Sequence, residues 1–155
     1  MPDTVVVIDT LRSFTTAAVA LDRGAAAVYP IEGITAAQAL ARRMARSRTA
    51  GAIGGGDPVE GFDFGNSPAQ LLAANLSGDR LILSTAAGVR GLQRFHDARR
   101  LFAASLVCAR ATADAIRVAR ATEVCFAITG EWVDRDGDED IACACLLYTS
   151  PSPRD

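Results

Sequence analysis

Six short apolar runs constrain this chain more than any other feature. They are "VVVID" (5–9), "AAAVYPI" (25–31), "AGAIG" (50–54), "RLILST" (80–85), "RRLFAAS" (99–105) and "EVCFAIT" (123–129). The first is continuous and β-branched, which suits a strand covered on both faces. Between the runs lie stretches with helical character. Ser13 is placed to cap "SFTTAAVALDRG", and Gly24 to stop it. "TAAQALARRMARS" (35–47) is Ala-rich, with Thr35 as its expected cap and Arg gathered toward its C-terminal end. "AQLLAANL", "AAGVRGLQRF" and "ATADAIRVARA" read as further helices. Strand and helix alternating over short connections predict an α/β fold, layered α/β/α around a mainly parallel or mixed sheet.

In such folds ligands bind beyond the carboxyl ends of the strands. The polar clusters of this sequence follow that rule. Asp9 and Arg12 come after the first run, and "EGFDFGNSP" (60–68) after the third. Thr85 and Arg90 follow the fourth, Ser105 the fifth, and "GDED" the sixth. The expectation is that a single sheet edge collects them. Ser67-Pro68 reads as the start of a helix, with Ser67 at the cap and Pro68 in the first position. Gly61 and Gly65 give the preceding loop freedom to turn, and Phe62 and Phe64 can anchor it to the core.

Composition narrows the function. The net charge of −2 gives no reason to expect nucleic acid. All 16 basic residues are Arg, so any cationic contact to a phosphate or sulfonate is made by a guanidinium fork. No apolar run is long enough to span a bilayer, and "MPDTVVVID" lacks a basic leader region, so a cytoplasmic protein is expected. The four cysteines match no zinc spacing and read as reduced thiols. The glycines at 54–56 lack the Lys-Ser/Thr that completes a phosphate-binding loop for nucleotides. "DRDGDED" (134–140) lacks the spacing of a calcium loop, and His96 stands alone. "LLYTSPSPRD" (146–155) is set apart as a non-native tail, leaving residues 1–145 as one α/β domain incomplete at its C-terminus.

The ordered set "VVVIDTLRSFTT", "EGFDFGNSP", "STAAGVRGL", "ASLVCARATA" and "GDEDIACA" resembles the 2-phosphosulfolactate phosphatases. The resemblance covers roughly residues 5–145, and "GFDFGNSP" is its most specific block. It implies a Mg²⁺-dependent hydrolase that releases phosphate from 2-phospho-3-sulfolactate, a step towards coenzyme M. On that resemblance Asp9, Arg12, Asp63 and Arg90 are expected to be catalytic. Gly65, Asn66, Ser67, Thr85 and Ser105 are expected to bind substrate, and Asp9, Glu139 and Asp140 the metal. Two departures, "AAGV" (86–89) for a "TNGT"-like turn and Cys108 for an Asn, bear on the substrate rather than the reaction. The alternatives are a phosphatase or lyase for another small phosphorylated hydroxy acid, and a non-catalytic anion-binding module on the same scaffold. The partner is then a small phosphorylated or sulfonated acid, and self-association into a homo-oligomer is left open.

Overall fold

The computed structural model describes residues 3–54, 56–130 and 136–150. Along the chain the elements run β1 (Thr4–Ile8), α1 (Ser13–Asp22), β2 (Ala27–Pro30), α2 (Ile34–Arg43), β3 (Ser47–Ile53), β4 (Asp57–Pro58), β5 (Phe64–Gly65) and α3 (Pro68–Leu72). They continue with β6 (Arg80–Ser84), α4 (Ala87–Arg94), β7 (Arg100–Ala104), α5 (Ala109–Val118), β8 (Val124–Ile128) and α6 (Asp138–Tyr148). The chain is mixed α/β, as the alternation predicts. It divides into two compact units, the first formed by Met1–Thr15 and Gly91–Asp155, the second by Thr16–Arg90. Each therefore has its own sheet, where the sequence reading expected one.

Unit one holds a parallel sheet in the order β7-β1-β8. Its registers align Ile8 with both Ala104 and Ile128, so all three strands end at the same level. Every residue of β1 is buried. The reason is that both faces are covered. Val6 and Ile8 pack with Ala109 and Ala113 of α5 and Cys143 and Leu147 of α6. Val5 and Val7 pack with Phe14, Leu92 and Phe95 on the other face. A strand covered in this way has no polar side to display, which explains the unbroken apolar run.

Unit two holds β2-β6-β3-β4, with β5 also paired to β3. β2, β6, β3 and β5 are parallel, and β4 runs antiparallel to β3. Its core joins Ala20, Ala50, Leu71, Leu76, Leu81 and Leu83, with Phe64 packed against it. β4 and β5 arise inside the loop that shows no strand periodicity. Two-residue strands are too short to carry a pattern, and pairing with β3 alone defines them.

Three helix boundaries differ from expectation. α2 starts at Ile34 with Gly33 in the capping position and no side-chain cap, so Thr35 lies inside the first turn. α3 is only Pro68–Leu72, shorter than the apolar stretch suggests. α6 runs into the segment set apart as a tail, and Leu147 is buried in the core of unit one. Asp134, Gly55 and residues 151–155 lie outside the described residues.

Candidate functional site

At the carboxyl edge of unit one the register places residues 9, 105 and 129 side by side. Backbone bonds extend the ladder by one step, from Asp9 N–H to Ala104 O (3.2 Å) and from Thr129 N–H to Ile8 O (3.2 Å). Asp9 is 3 % exposed and Ser105 fully buried. The Asp9 carboxylate accepts from the Ser13 backbone N–H (3.1 Å) and from the Ser13 hydroxyl (2.6 Å). The acceptor that fastens the start of α1 is thus Asp9, with Ser13 supplying the donors. Arg12, between them, is half-buried and makes no hydrogen bond or ion pair with the described residues.

The first turn of α6, Asp138-Glu139-Asp140, comes to the same edge. Acidic residues there complement the helix dipole. Asp140 has no exposed surface. One of its oxygens accepts from the Thr10 N–H (2.6 Å), the other from the Gly130 N–H (2.8 Å). The Thr10 hydroxyl donates to the Glu139 carbonyl (3.5 Å). Burial pushes the Asp140 carboxyl above its ordinary value, against the pull of those two N–H groups, and the charge of Asp9 pushes it further the same way. Two buried carboxylates are therefore close enough to repel, and Asp140 has no cation partner among the described residues. Among those residues no three His, Cys, Asp or Glu side chains gather as a ready-made metal cluster.

Cysteine is structural here. Burial pushes the Cys143 thiol up to about 11, so it stays neutral and packs in the core. Cys108 accepts from the Ser105 N–H at 3.3 Å, which ties the end of β7 to the start of α5.

The remaining sequence-predicted residues belong to unit two. Gly51 of β3 pairs with Gly65 on one side and with Ser84 on the other. Asn66 and Thr85, the next residues along, therefore sit at one level on either side of β3. Both are buried, and Asn66 Oδ1 has no hydrogen-bond partner among the described residues. Ser67 caps α3 by accepting from Gln70 N–H, and the Gln70 side chain accepts from Gly65 N–H at 2.8 Å. Gly61 takes φ +77°, as a sharp turn needs. Arg90 is 67 % exposed and pairs with Glu32 at 3.0 Å.

Asp63 is committed to bonds that hold its own loop, though its side chain is partly exposed. It accepts from the Thr49 N–H and hydroxyl, each at 2.8 Å, and its own N–H donates to that hydroxyl at 2.9 Å. Arg48 adds an ion pair at 3.3 Å. Burial pushes its carboxyl up, but Thr49 and Arg48 together outweigh burial and hold it below its ordinary value. A depressed folded value stabilises the protein above the unfolded value and loses that stability as pH falls. Asp63→Asn should therefore cost about 1–2 kcal/mol at pH 7, toward the low end because the side chain is partly exposed. It should also flatten the loss of melting temperature below about pH 4. Thermal melts from pH 7 to 3 check this, and parallel curves for both proteins would refute it.

The sequence reading gathered these residues along one edge. The structure assigns Asp9, Arg12, Ser105, Glu139 and Asp140 to unit one, and Asp63, Gly65, Asn66, Ser67, Thr85 and Arg90 to unit two. It adds Thr10, Thr129 and Gly130, which the sequence reading missed. Gly130, two residues past the end of β8, was the available signal. A Cβ there would lie 2.7 Å from the Asp140 carboxylate.

Residues 1–151 match the family model described as 2-phosphosulpholactate phosphatase. The chain is 37 % identical over 147 residues to a probable 2-phosphosulfolactate phosphatase of Gloeobacter violaceus, covering 94 % of this chain and 62 % of that protein. It is 43 % identical over 114 residues to one from Prochlorococcus marinus (strain MIT 9303), covering 73 % of this chain and 47 % of that one. The chain thus spans about half to three-fifths of the length of these curated relatives. No helix among the described residues is long and apolar enough to cross a membrane. With the family pattern extending over nearly all of it, this chain belongs to the 2-phosphosulfolactate phosphatase family.

Proposed function

We propose that the protein is a Mg²⁺-dependent phosphatase that hydrolyses 2-phospho-3-sulfolactate to 3-sulfolactate and phosphate, a step of the coenzyme M type. The observation that carries this reading is the buried acidic edge of unit one, where Asp9 is buried after β1 and the N–H of its neighbour Thr10 holds the buried Asp140 carboxylate at 2.6 Å. Carboxylates gathered at one strand edge make a locally negative seat that favours a cation. Mg²⁺ suits such an edge, because it takes one or two carboxylates and completes its shell with water and substrate oxygens. That need explains why a three-ligand protein cluster is not required. When bound, the ion supplies charge for the phosphoryl oxygens and acidifies an attacking water.

The chain's own residues supply the rest. Asp9 is locked by Ser13 and offers a fixed oxygen face. Arg12, half-buried and uncommitted among the described residues, has a planar fork matched to phosphate or sulfonate oxygens. Phosphoryl transfer asks mainly for such positioning and charge. In unit two, Asn66, Ser67, Thr85 and Arg90 are offered as anion contacts in their own right, and Asp63 holds the loop that carries Asn66 and Ser67. The cytoplasm is the expected compartment, and the four cysteines stand as free thiols.

The test is phosphate release from 2-phospho-3-sulfolactate as Mg²⁺ is titrated, beside 2-phospholactate and a nitrophenyl ester. The reading requires metal-dependent turnover that favours the sulfonated substrate. Turnover of none of the three at any Mg²⁺ concentration would overturn it, and ligand binding without turnover would identify an anion-binding module instead.

A further inference from the structure

We infer that Asp140 is a positioning residue rather than a metal ligand, and that Glu139 beside it is the second carboxylate offered to the cation. The inference rests on the Mg²⁺ reading above and divides between two neighbours a role that the family resemblance implies for both.

Asp140 is enclosed and already engaged. It has no exposed surface, and each of its oxygens already accepts a short bond from a backbone N–H, one past β1 and one past β8. Rotating this carboxylate toward a cation would break one of those bonds and strand a buried N–H donor. The seat is also closed on one side. At Gly130 even a methyl carbon would lie 2.7 Å from an Asp140 oxygen. What these bonds do is join three elements. The first turn of α6 is fixed to Thr10, the neighbour of Asp9, and to Gly130, two residues past the end of β8.

Glu139 differs on each point. It is half-exposed, and its carboxylate has no hydrogen bond or ion pair with the described residues. It is nevertheless held near. A Cβ at Gly130 would lie 3.3 Å from a Glu139 oxygen, and the Glu139 carbonyl takes the Thr10 hydroxyl. A carboxylate that is near the edge, accessible and unpaired is the one a hydrated Mg²⁺ can reach.

The experiment titrates Mg²⁺ into the whole chain carrying ¹³C-labelled carboxylates and ¹⁵N-labelled amides. The Glu139 carboxyl carbon should move, the Asp140 carboxyl carbon should not, and the Gly130 amide proton should resonate downfield throughout. By calorimetry, Glu139→Gln should weaken Mg²⁺ binding about tenfold or more while leaving the melting temperature within about 2 °C. Asp140→Asn should leave Mg²⁺ affinity within about threefold and lower kcat about 10- to 100-fold at little-changed KM. A purely structural residue would lower only the fraction of chains that bind Mg²⁺, whereas Asp140→Asn should lower kcat per Mg²⁺-binding site. Movement of the Asp140 carbon with Mg²⁺, or equal loss of affinity in both variants, overturns the inference. Should Asp140→Asn not fold, the wild-type carbon shifts decide alone. If Mg²⁺ moves no carboxylate, the metal reading falls together with the assignment of Glu139. The effect of Asp140→Asn on kcat then decides the positioning role by itself.

Discussion

Asp9→Asn is expected to reduce Mg²⁺-dependent phosphate release about 10³-fold or more and to leave the protein folded. The separation of the two effects follows from the local bonding. An Asn in this place still offers one oxygen to the Ser13 N–H, which Asp9 now bonds at 3.1 Å. Its amide nitrogen would replace the oxygen that takes the Ser13 hydroxyl at 2.6 Å. A serine hydroxyl both donates and accepts, so it can turn and receive that N–H. The start of α1 keeps its fastening. What disappears is the negative charge. With it goes one source of the upward pressure on Asp140, whose carboxyl Asp9 makes harder to ionise. Relief of that repulsion should hold the melting temperature level or raise it slightly, a trade of activity for stability typical of functional sites. Arg12→Ala should act differently, raising KM about 10- to 100-fold, because a guanidinium fork binds the anion in ground and transition state alike. Steady-state kinetics with calorimetric melts distinguish the cases. Wild-type turnover in Asp9→Asn would remove Asp9 from the chemistry, and a collapsed melt would make it a structural cap alone.

The sequence revealed the strands because burial on two faces leaves a direct mark. Val5 and Val7 serve one layer while Val6 and Ile8 serve the other, so no position in β1 tolerates a polar residue. The start of α3 was legible for a similar reason, since Ser67 and Pro68 satisfy local requirements of a helix end. The anchoring of the 60–68 loop was also legible: Phe64 packs on the core of unit two, and Phe62 lies against Gly51.

What local pattern does not encode is which strands pair. β1 joins β7 and β8, almost a hundred residues and more away, and bypasses β2, β3 and β6. Nothing in five apolar residues specifies that choice, and so the two sheets were read as one. The same blindness hid the partners of Asp140. Its bond to Thr10 spans 130 positions. Asp63 failed to declare itself because an acid in a glycine-rich loop looks available. Only the pairing of β3 with β5 brings Thr49 and Arg48 to it. Composition misled at the end of the chain, where the last hydrophobic residues read as unpatterned. α6 continues through them because Leu147 finds the groove beside Ala113 and Val124.

Gly51→Ala carries the second large effect, this time on stability. Gly51 lies in the middle of unit two's sheet, paired to β5 and β6 at once. A Cβ at this position would fall 2.4 Å from the Ser84 carbonyl oxygen and 2.9 Å from the Phe62 ring. The ring could rotate away, but the carbonyl belongs to the backbone of β6 and cannot move without breaking the ladder. The expected cost is about 3 kcal/mol or more, above the usual range for one added methyl because one contact is with main chain. For a chain of this size that lowers the melting temperature by about 6–12 °C. Gly65→Ala is the matched control, since it is the register partner of Gly51. Its added carbon would meet nothing closer than the end of the Gln70 side chain at 3.4 Å. Its cost should stay below about 1 kcal/mol. Urea unfolding of the two variants compares them at constant chemistry, one methyl on one glycine each. Equal midpoints would mean that β3, β5 and β6 are not in the register described. A large gap would show that glycine at position 51 is set by strand packing and not by loop flexibility. Because Phe62 rests on that same glycine, displacing it should also loosen the loop carrying Asp63, Asn66 and Ser67. Protease cleavage within residues 57–66 should therefore accelerate in Gly51→Ala at temperatures well below its melt, where Gly65→Ala still resists.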